Sequence, residues 1–536
     1  MRRDVREYET IVVGGGHNGL VAGFYLARAG LRTLVLERRP FVGGACVTEE
    51  FAPGYRASTG AYVVSMLRES VWRDMRLVER GVRVDQAGPS LNLFADGARF
   101  TLDEDLDKTI EEAKRFSAAD ARALPAFEEH LAGIGRALQP AFDGAPPEIG
   151  ARGSRDLRDL RDLAGYGRLA WRHRKLLAEA AFLFSTSAEQ FLGERFESEY
   201  VKAALGWHAI NDSVHGPSSP GTAYVLLHDH ASEGGGVRQW GFVRGGIGRL
   251  ADALGEAARE AGAEIRADVE VERIVSRAGK VSGVALAGGD ELGARFVLSN
   301  ADPKRTFLSL CDLADLPERF VDAIRAYRCE GTSTKVNLAL SALPWVDGPP
   351  RAGAQPYHFG IMEVNSTLAE MDRDQAMARA GIPAEDSHIE ICFPTVHDPS
   401  LAPEGRHIAT IDINSQPYTL AEGSWDDRKE AQVDRAIAQL ARFFPSLPDM
   451  IEHRQVLTPL DLERLLGLSG GHALHGEMTA DQLFFMRPVR GWGSYRTPIQ
   501  GLYLCGSGAH PGGGVTGAPG RNAARQVLRD AKRARR

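Results

Sequence analysis

The chain has 536 residues, 43% hydrophobic and 25% charged, with a formal net charge of −7; it is too long for one simple core, and its acidic balance argues against nucleic acid as the main partner. No apolar run approaches the ~20 residues of a membrane-spanning helix, and since residues 1–7 lead directly into the first strand, no signal or transit peptide is expected. The five cysteines (Cys46, Cys311, Cys329, Cys392 and Cys505) form no C-x-x-C or other close pair, so a reducing, cytoplasmic setting is expected and a zinc site is not.

Ile11-Val12-Val13 reads as a buried strand. Gly14-Gly15-Gly16-His17-Asn18-Gly19 is a glycine turn that opens a helix, and Thr33–Leu36 is a second strand closed by Glu37. Gly14 permits the tight turn, Gly16 lets the backbone approach a pyrophosphate, and Gly19 allows close helix–strand packing. The helix start offers N–H groups and a positive dipole end to phosphates. Glu37 is placed to accept ribose hydroxyls and to repel a 2′-phosphate. A further pair, Gly43-Gly44, and then Gly54-Tyr55 follow, which an NAD domain does not need.

Residues 101–230 read as largely helical, with charged faces such as Ile110–Arg115. Within them Tyr166–Phe184 joins Arg168, Arg172, Arg174 and Lys175 to Leu169, Trp171, Phe182 and Leu183. This basic amphipathic pattern suits a cap helix over a substrate pocket, or peripheral contact with a membrane surface. Gly245-Gly246-Ile247-Gly248 precedes a helix, Leu250–Ala261, and reads as a helix start near a cofactor rather than a second dinucleotide fold. Residues 269–275 alternate as a strand. A hairpin follows through Gly288-Gly289-Asp290 and closes on Ser299-Asn300-Ala301-Asp302-Pro303. Residues 330–420 carry the strands 336–340, 388–392 and 407–411.

The C-terminus repeats the strand–glycine–helix pattern. Gly501–Cys505 runs into Gly506-Ser507-Gly508-Ala509-His510-Pro511-Gly512-Gly513-Gly514-Val515, then a helix through Arg521–Ala524. Two anion-type turns at opposite ends of the chain serve one large cofactor if the ends meet in space. The cofactor domain is therefore expected to be discontinuous, from residues 1–100, 231–305 and 488–536. The substrate and cap domain takes 101–230 and 306–487.

These blocks, with Gly221–His228, Leu298-Ser299-Asn300, Leu457–Arg464, His475–Leu483 and Arg487-Pro488, resemble the phytoene dehydrogenase-related FAD-dependent oxidoreductases of the amine oxidase superfamily. The resemblance implies an α/β fold: a glutathione-reductase-like Rossmann FAD-binding domain interleaved with a mixed-sheet, helix-capped substrate domain. It implies FAD, held by Gly14, Gly16, Gly19, Glu37, Arg38, Gly43, Gly44, Val271, Asn300, Gly506, Gly508, Gly514 and Val515. It implies an apolar or polyene-like small-molecule substrate, desaturated or isomerised by hydride transfer to flavin N5. An amine oxidase, with Trp492 and Tyr495 as candidate members of an aromatic cage, is one alternative. A flavin-stabilised scaffold for partner binding is another. No second strand–G-x-G-x-x-G–helix unit is visible, so oxygen or a quinone is expected as acceptor rather than NAD(P)H, unless the cycle returns its hydride.

Three side chains are candidate proton carriers. Lys335 opens a strand in a chain with only nine lysines among 64 basic residues. A partly buried lysine can have its pKa lowered and serve as acid or base; the alternative is a surface lysine at a strand edge. In the resembling amine oxidases a lysine on a comparable strand reaches a water near flavin N5. His510 lies inside the C-terminal glycine turn, and His475 follows Gly470-Gly471. Either histidine suits proton transfer near neutrality, or positioning and packing. His472 and His475 lack further ligands for a metal.

Overall fold

The computed structural model describes residues 8–146, 167, 171, 174–229, 240–349 and 351–533. Its first sheet gathers strands from three separate parts of the chain. β1 (Tyr8–Val13) and β2 (Thr33–Leu36) come from the N-terminus. β9 (Glu264–Arg266), β10 (Val271–Arg277), β11 (Lys280–Leu286) and β12 (Glu291–Ser299) come from the middle, and β18 (Leu502–Leu504) from near the C-terminus. The order is β10-β11-β12-β1-β2-β9, with β18 also beside β12. β1 runs parallel to β2 and β12, and β18 parallel to β12. Ile11, Val12, Leu34 and Val35 are wholly buried; such unbroken apolar runs belong to parallel strands covered on both faces.

The two ends of the chain meet at the tips of these strands. Asn18 Nδ2 donates to Ser507 Oγ at 3.3 Å. The helix Ala518–Arg533 lies against the helix His17–Arg28, and Gly520 sets how closely: a Cβ there would sit 2.0 Å from the Asn18 carbonyl oxygen.

The second sheet has the order β17-β13-β16-β15-β14-β6-β7. It is built from β6 (Ser90–Phe94), β7 (Arg99–Leu102), β13 (Thr334–Leu340), β14 (Ile361–Asn365), β15 (Ile389–Cys392), β16 (His407–Ile413) and β17 (Ile451–Leu457). β6 and β14 are parallel and the other pairs antiparallel. Two expected boundaries move. The second sheet reaches back across residue 101 into β6 and the start of β7, because Leu91 and Leu93 alternate into its core. Residues 306–326 pack on the first sheet, because Phe307, Leu310, Phe320 and Ile324 fill its core. A hairpin of β3 (Thr48–Ala52) and β4 (Tyr55–Ser58), and the pair of β5 (Val84–Gln86) with β8 (Gly241–Val243), complete the strands.

One face of the second sheet is apolar. Val336, Leu338, Ile389, Ile391, Ile411 and Ile413 form a core with Val433 and Leu440 of the helix Trp425–Ala441. Such alternation ordinarily leaves the other face to water. Here that face carries Lys335, Asn337, Glu390 and Glu363 and is buried as well.

Helices cap the assembly. Ala118–Phe142 starts at Ser117, whose Oγ accepts from the Ala119 and Asp120 N–H groups at 3.1 Å, a standard N-cap. Leu124, Phe127 and Leu131 of this helix pack with Phe191, Leu205 and Tyr224. Of the basic amphipathic segment, the helix Arg174–Leu183 and an exposed Trp171 are described, and most of residues 166–173 lie outside the described residues. Among the described residues no helix is long and apolar enough to cross a membrane.

Candidate functional site

A cavity of about 330 Å³ runs from the first glycine turn to the polar face of the second sheet. Gly14, Gly16, Glu37, Arg38, Gly44, Val271, Asn300, Gly514 and Val515 line it, as do Lys335 and His475.

The glycine end is shaped by main chain. Gly14 has φ +97°, and a Cβ on Gly16 would lie 2.7 Å from Asn300 Nδ2. The first turn of the helix His17–Arg28 carries no acidic side chain and no side-chain cap, which leaves its positive end to an anion. Glu37 accepts from the Gly15 N–H at 2.8 Å and the Arg39 N–H at 3.0 Å. These bonds fix its carboxylate at the wall with lone pairs to spare. His17 Nε2 and Asn18 Oδ1, also at the wall, are buried without a hydrogen-bond partner. Burial lowers the His17 pKa to about 4. Bare glycine backbone, a free helix start, a fixed acid and two orphaned polar atoms fit the pyrophosphate and ribose of FAD.

Four expected cofactor residues do not line the cavity. A Cβ on Gly19 would lie 2.1 Å from the Gly14 oxygen, on Gly506 2.4 Å from the Asn300 oxygen, and on Gly508 2.3 Å from Pro303 Cδ. Gly43 has φ +135° and donates to the Gly15 oxygen at 2.9 Å. These glycines let backbones approach one another behind the wall. The cluster at Gly245–Gly248 is a helix start, as expected, but it is not at the cavity. Its N–H groups are taken within the protein, Gly248 donating to Thr48 Oγ1 at 2.9 Å, Ile247 to Ser58 Oγ at 3.3 Å and Gly245 to Asp398 Oδ2 at 2.6 Å.

At the sheet end Lys335 is only 3% exposed, in the interior of the sheet rather than at an edge. Its Nζ donates to the Gly60 carbonyl and lies 4.4 Å from the centre of the Tyr62 ring. Burial lowers its pKa to about 8, against the opposing pull of Asp412. Tyr62 donates to Glu390 Oε2 at 2.7 Å. Burial raises Asp412 to about 6, with Lys335 opposing. Trp240, Glu390 and Asp412 also face the cavity.

His475 is held neutral: burial lowers its pKa to about 4, Arg487 and His472 add to this, and Asp302 opposes. Its loop is pinned from both sides. Asp212 Oδ2 stands 2.8 Å from His472 Nδ1, and the Arg487 guanidinium donates to the Leu474 and Ser507 oxygens at 2.8 and 2.9 Å.

His510 is not at the cavity. Its Nε2 lies 2.9 Å from the Ala141 oxygen, with the Phe142 and Phe484 rings around it; the chain beyond it returns to the wall only at Gly514. Trp492 and Tyr495 are not there either. Trp492 packs edge-on against Phe320, and Tyr495 donates to the His510 oxygen at 2.9 Å. The aromatic residues at the wall are Tyr62 and Trp240, which lie in irregular segments with no sequence signature. Glu390 was legible only as a polar position in an alternating strand, and Asp412 lies just past the expected strand 407–411, within the observed β16. All five cysteines are free and buried.

The family model of flavin containing amine oxidoreductases matches residues 19–528. Over 547 residues the sequence is 39% identical to pyridine nucleotide-disulfide oxidoreductase domain-containing protein 2 of Rattus norvegicus, covering 98% of this chain and 94% of that protein. Over 550 residues it is 30% identical to a limonene dehydrogenase subunit of Castellaniella defragrans, covering 98% and 95%. A solved structure of an oxidoreductase from Methanosarcina mazei is similar in fold, with a TM-score of 0.58 at 15% identity over 97% of this chain and 99% of that one.

Proposed function

The chain belongs to the flavin containing amine oxidoreductases and is an FAD-dependent oxidoreductase, and we propose that it desaturates or isomerises a small molecule with an apolar body. The observation that carries this reading is a single cavity with the glycine turn at one end and a buried lysine at the other. Ala61, Val63, Met66 and the Trp240 ring supply apolar wall to the same cavity. The relative named for limonene, an apolar olefin, supports the same substrate class.

Bound FAD supplies a hydride acceptor. Glu37 receives ribose hydroxyls, and the main chain at Gly14 and Gly16, with the following helix start, receives the pyrophosphate. Arg38, Gly44, Val271, Asn300, Gly514 and Val515 complete that wall. Lys335, with a pKa near 8, exchanges a proton at Nζ close to neutrality, which is where a general acid–base works best. Tyr62 and Trp240 hold the substrate body and exclude water. His475, neutral and pinned, positions the substrate. A desaturation passes its electrons on to oxygen or a quinone, and an isomerisation returns its hydride and needs no acceptor.

The test is anaerobic mixing of the holoenzyme with apolar olefins such as limonene and, separately, with cyclohexylamine. Flavin bleaching or double-bond migration with an olefin is expected. Bleaching by the amine with neither change on any olefin would overturn the reading in favour of amine oxidation.

A further inference from the structure

One line of directly paired residues crosses the second sheet: Lys335 on β13, Asp412 on β16, Glu390 on β15, Glu363 on β14 and Asn92 on β6. Paired residues share a face, with Cβ atoms ~4.5–5.5 Å apart. Three carboxylates and one ammonium therefore stand in single file. Like charges directly opposite one another destabilise a sheet, and burial adds to the cost. Yet Glu363 is 1% exposed, Lys335 3% and Glu390 5%. One ammonium balances one carboxylate. The file holds no second ammonium for the other two, and sharing a proton lowers the cost of burying them.

The near end of the file opens on the cavity through Lys335, Asp412 and Glu390, with Tyr62 hydrogen-bonded to Glu390. The far end does not, because Glu363 is absent from the cavity wall. Behind it stands His388, its Nε2 3.2 Å from Glu363 Oε2 but not aligned for a hydrogen bond. The His388 ring is stacked 5.0 Å from Trp207. Burial lowers His388 to about 3, so it takes no proton near neutrality, and burial with Asp412 raises Glu363 well above the usual carboxylate range. The remaining titratable groups near the file are Cys392 on β15, and Asp212, which acts on Asp412. Ser333 also hydrogen-bonds to Asp412.

We infer that Glu363, Glu390 and Asp412 share a proton and exchange it with the cavity through Lys335 and Tyr62, forming a buried proton store for the oxidoreductase reaction. Glu363 is its far end and acts through Glu390. The inference rests on the assignment of Lys335 as the proton carrier. In the oxidative direction the substrate loses a hydride and a proton. The hydride leaves with both bonding electrons to FAD. The Lys335 ammonium first gives a proton to Asp412, breaking N–H and forming O–H, and the freed amine takes the proton of a neighbouring C–H bond, whose electrons form the new C=C bond. In an isomerisation both transfers reverse at a different carbon, and the balance closes without another oxidant.

The experiment needs no substrate. Infrared difference spectra between oxidised and dithionite-reduced holoenzyme are recorded near neutral pH in light and heavy water. They compare wild type, Glu363→Gln and Asp412→Asn, with the exposed Glu111→Gln as control; FAD content and Tm are measured alongside. Wild type should show a protonated-carboxyl band that shifts in heavy water. It should be lost or displaced in Glu363→Gln and Asp412→Asn and kept in Glu111→Gln. Absence of the band in wild type overturns the store, as does a band unchanged in Glu363→Gln while only Tm falls. Should Glu363→Gln fail to fold, wild type and Asp412→Asn decide by the same criteria. Dithionite reduces the flavin whatever the substrate, so a missing band leaves the olefin reading standing, and a band without olefin turnover does the reverse.

Discussion

The two ends of the cavity are built by opposite means. At the Gly14–Gly16 turn the wall is largely main chain, and a Cβ on Gly16 would come within 2.7 Å of Asn300 Nδ2; behind it Gly19 packs so closely that a Cβ there would lie 2.1 Å from the Gly14 oxygen. At the second sheet the wall is mostly side chain: Lys335, Asp412 and Glu390 stand on adjacent strands whose register places them, and the Gly60 carbonyl accepts from Lys335 Nζ. The first arrangement binds through shape and dipole. The second tunes protons through burial and neighbouring charge. Damage at the glycine end should therefore remove cofactor and fold together, and damage at the sheet end should leave a yellow protein that works slowly.

The largest effect is expected at Gly19→Val, where the β-branched side chain has no room in the helix–strand contact. Overpacking alone costs about 1–3 kcal/mol, and here the obstacle is backbone, which gives way less readily than a side chain. The purified variant should carry little FAD per chain by absorbance and melt well below wild type. A yellow, normally melting Gly19→Val protein would show that the turn tolerates side chains after all. Lys335→Met comes next. It should keep its FAD and slow flavin reduction by substrate ~10²–10⁴-fold, the usual worth of a general acid–base group. Lys304, which does not line the cavity, is the control. Equal, mild losses in Lys335→Met and Lys304→Met would reduce Lys335 to a structural lysine.

A third expectation concerns His510, which belongs to neither end. Its folded pKa is lowered to about 4, chiefly by burial, from an ordinary 6.5. As pH falls through this window the unfolded chain binds a proton there and the folded chain does not, so stability is lost on acidification. His510→Gln can keep the bond to the Ala141 oxygen and cannot titrate. Its stability loss between those two pH values should be smaller than wild type's by about 3 kcal/mol, read from urea melts. Activity near neutral pH should change little. A large activity loss with an unaltered acid profile would return His510 to the chemistry.

The glycine end was legible because its chemistry is contiguous. Gly14 to Gly19 and then Glu37 follow one another along the chain, each with a local reason. Even so, the sequence could not separate glycines that line the wall, Gly14 and Gly16, from glycines that pack behind it, Gly506 and Gly508. The same pattern serves close approach to a ligand and close approach to backbone. The sheet end was nearly illegible. Lys335 stood out by its rarity. Glu363, Glu390 and Asp412 are far apart in sequence, and only strand register makes them neighbours. Alternation in His388-Ile389-Glu390-Ile391-Cys392 reads as a strand wetted on one face, and nothing local says that the wet face is covered by another part of the chain. Tyr62 and Trp240 lie outside any periodic element and gave no signal.

The smallest expected effect tests where the glycine end stops. Gly245–Gly248 has the look of a phosphate turn, but Thr48 Oγ1 already accepts the Gly248 N–H at 2.9 Å. A helix start whose donors are satisfied by a neighbouring strand has nothing left to offer a phosphate. Thr48→Val keeps the shape and removes that acceptor, so it should cost about 1 kcal/mol, in the range of a lost helix cap. FAD content and flavin reduction should be unchanged. A variant that melts normally but loses FAD would place this helix start at the cofactor and extend the main-chain wall beyond the first turn.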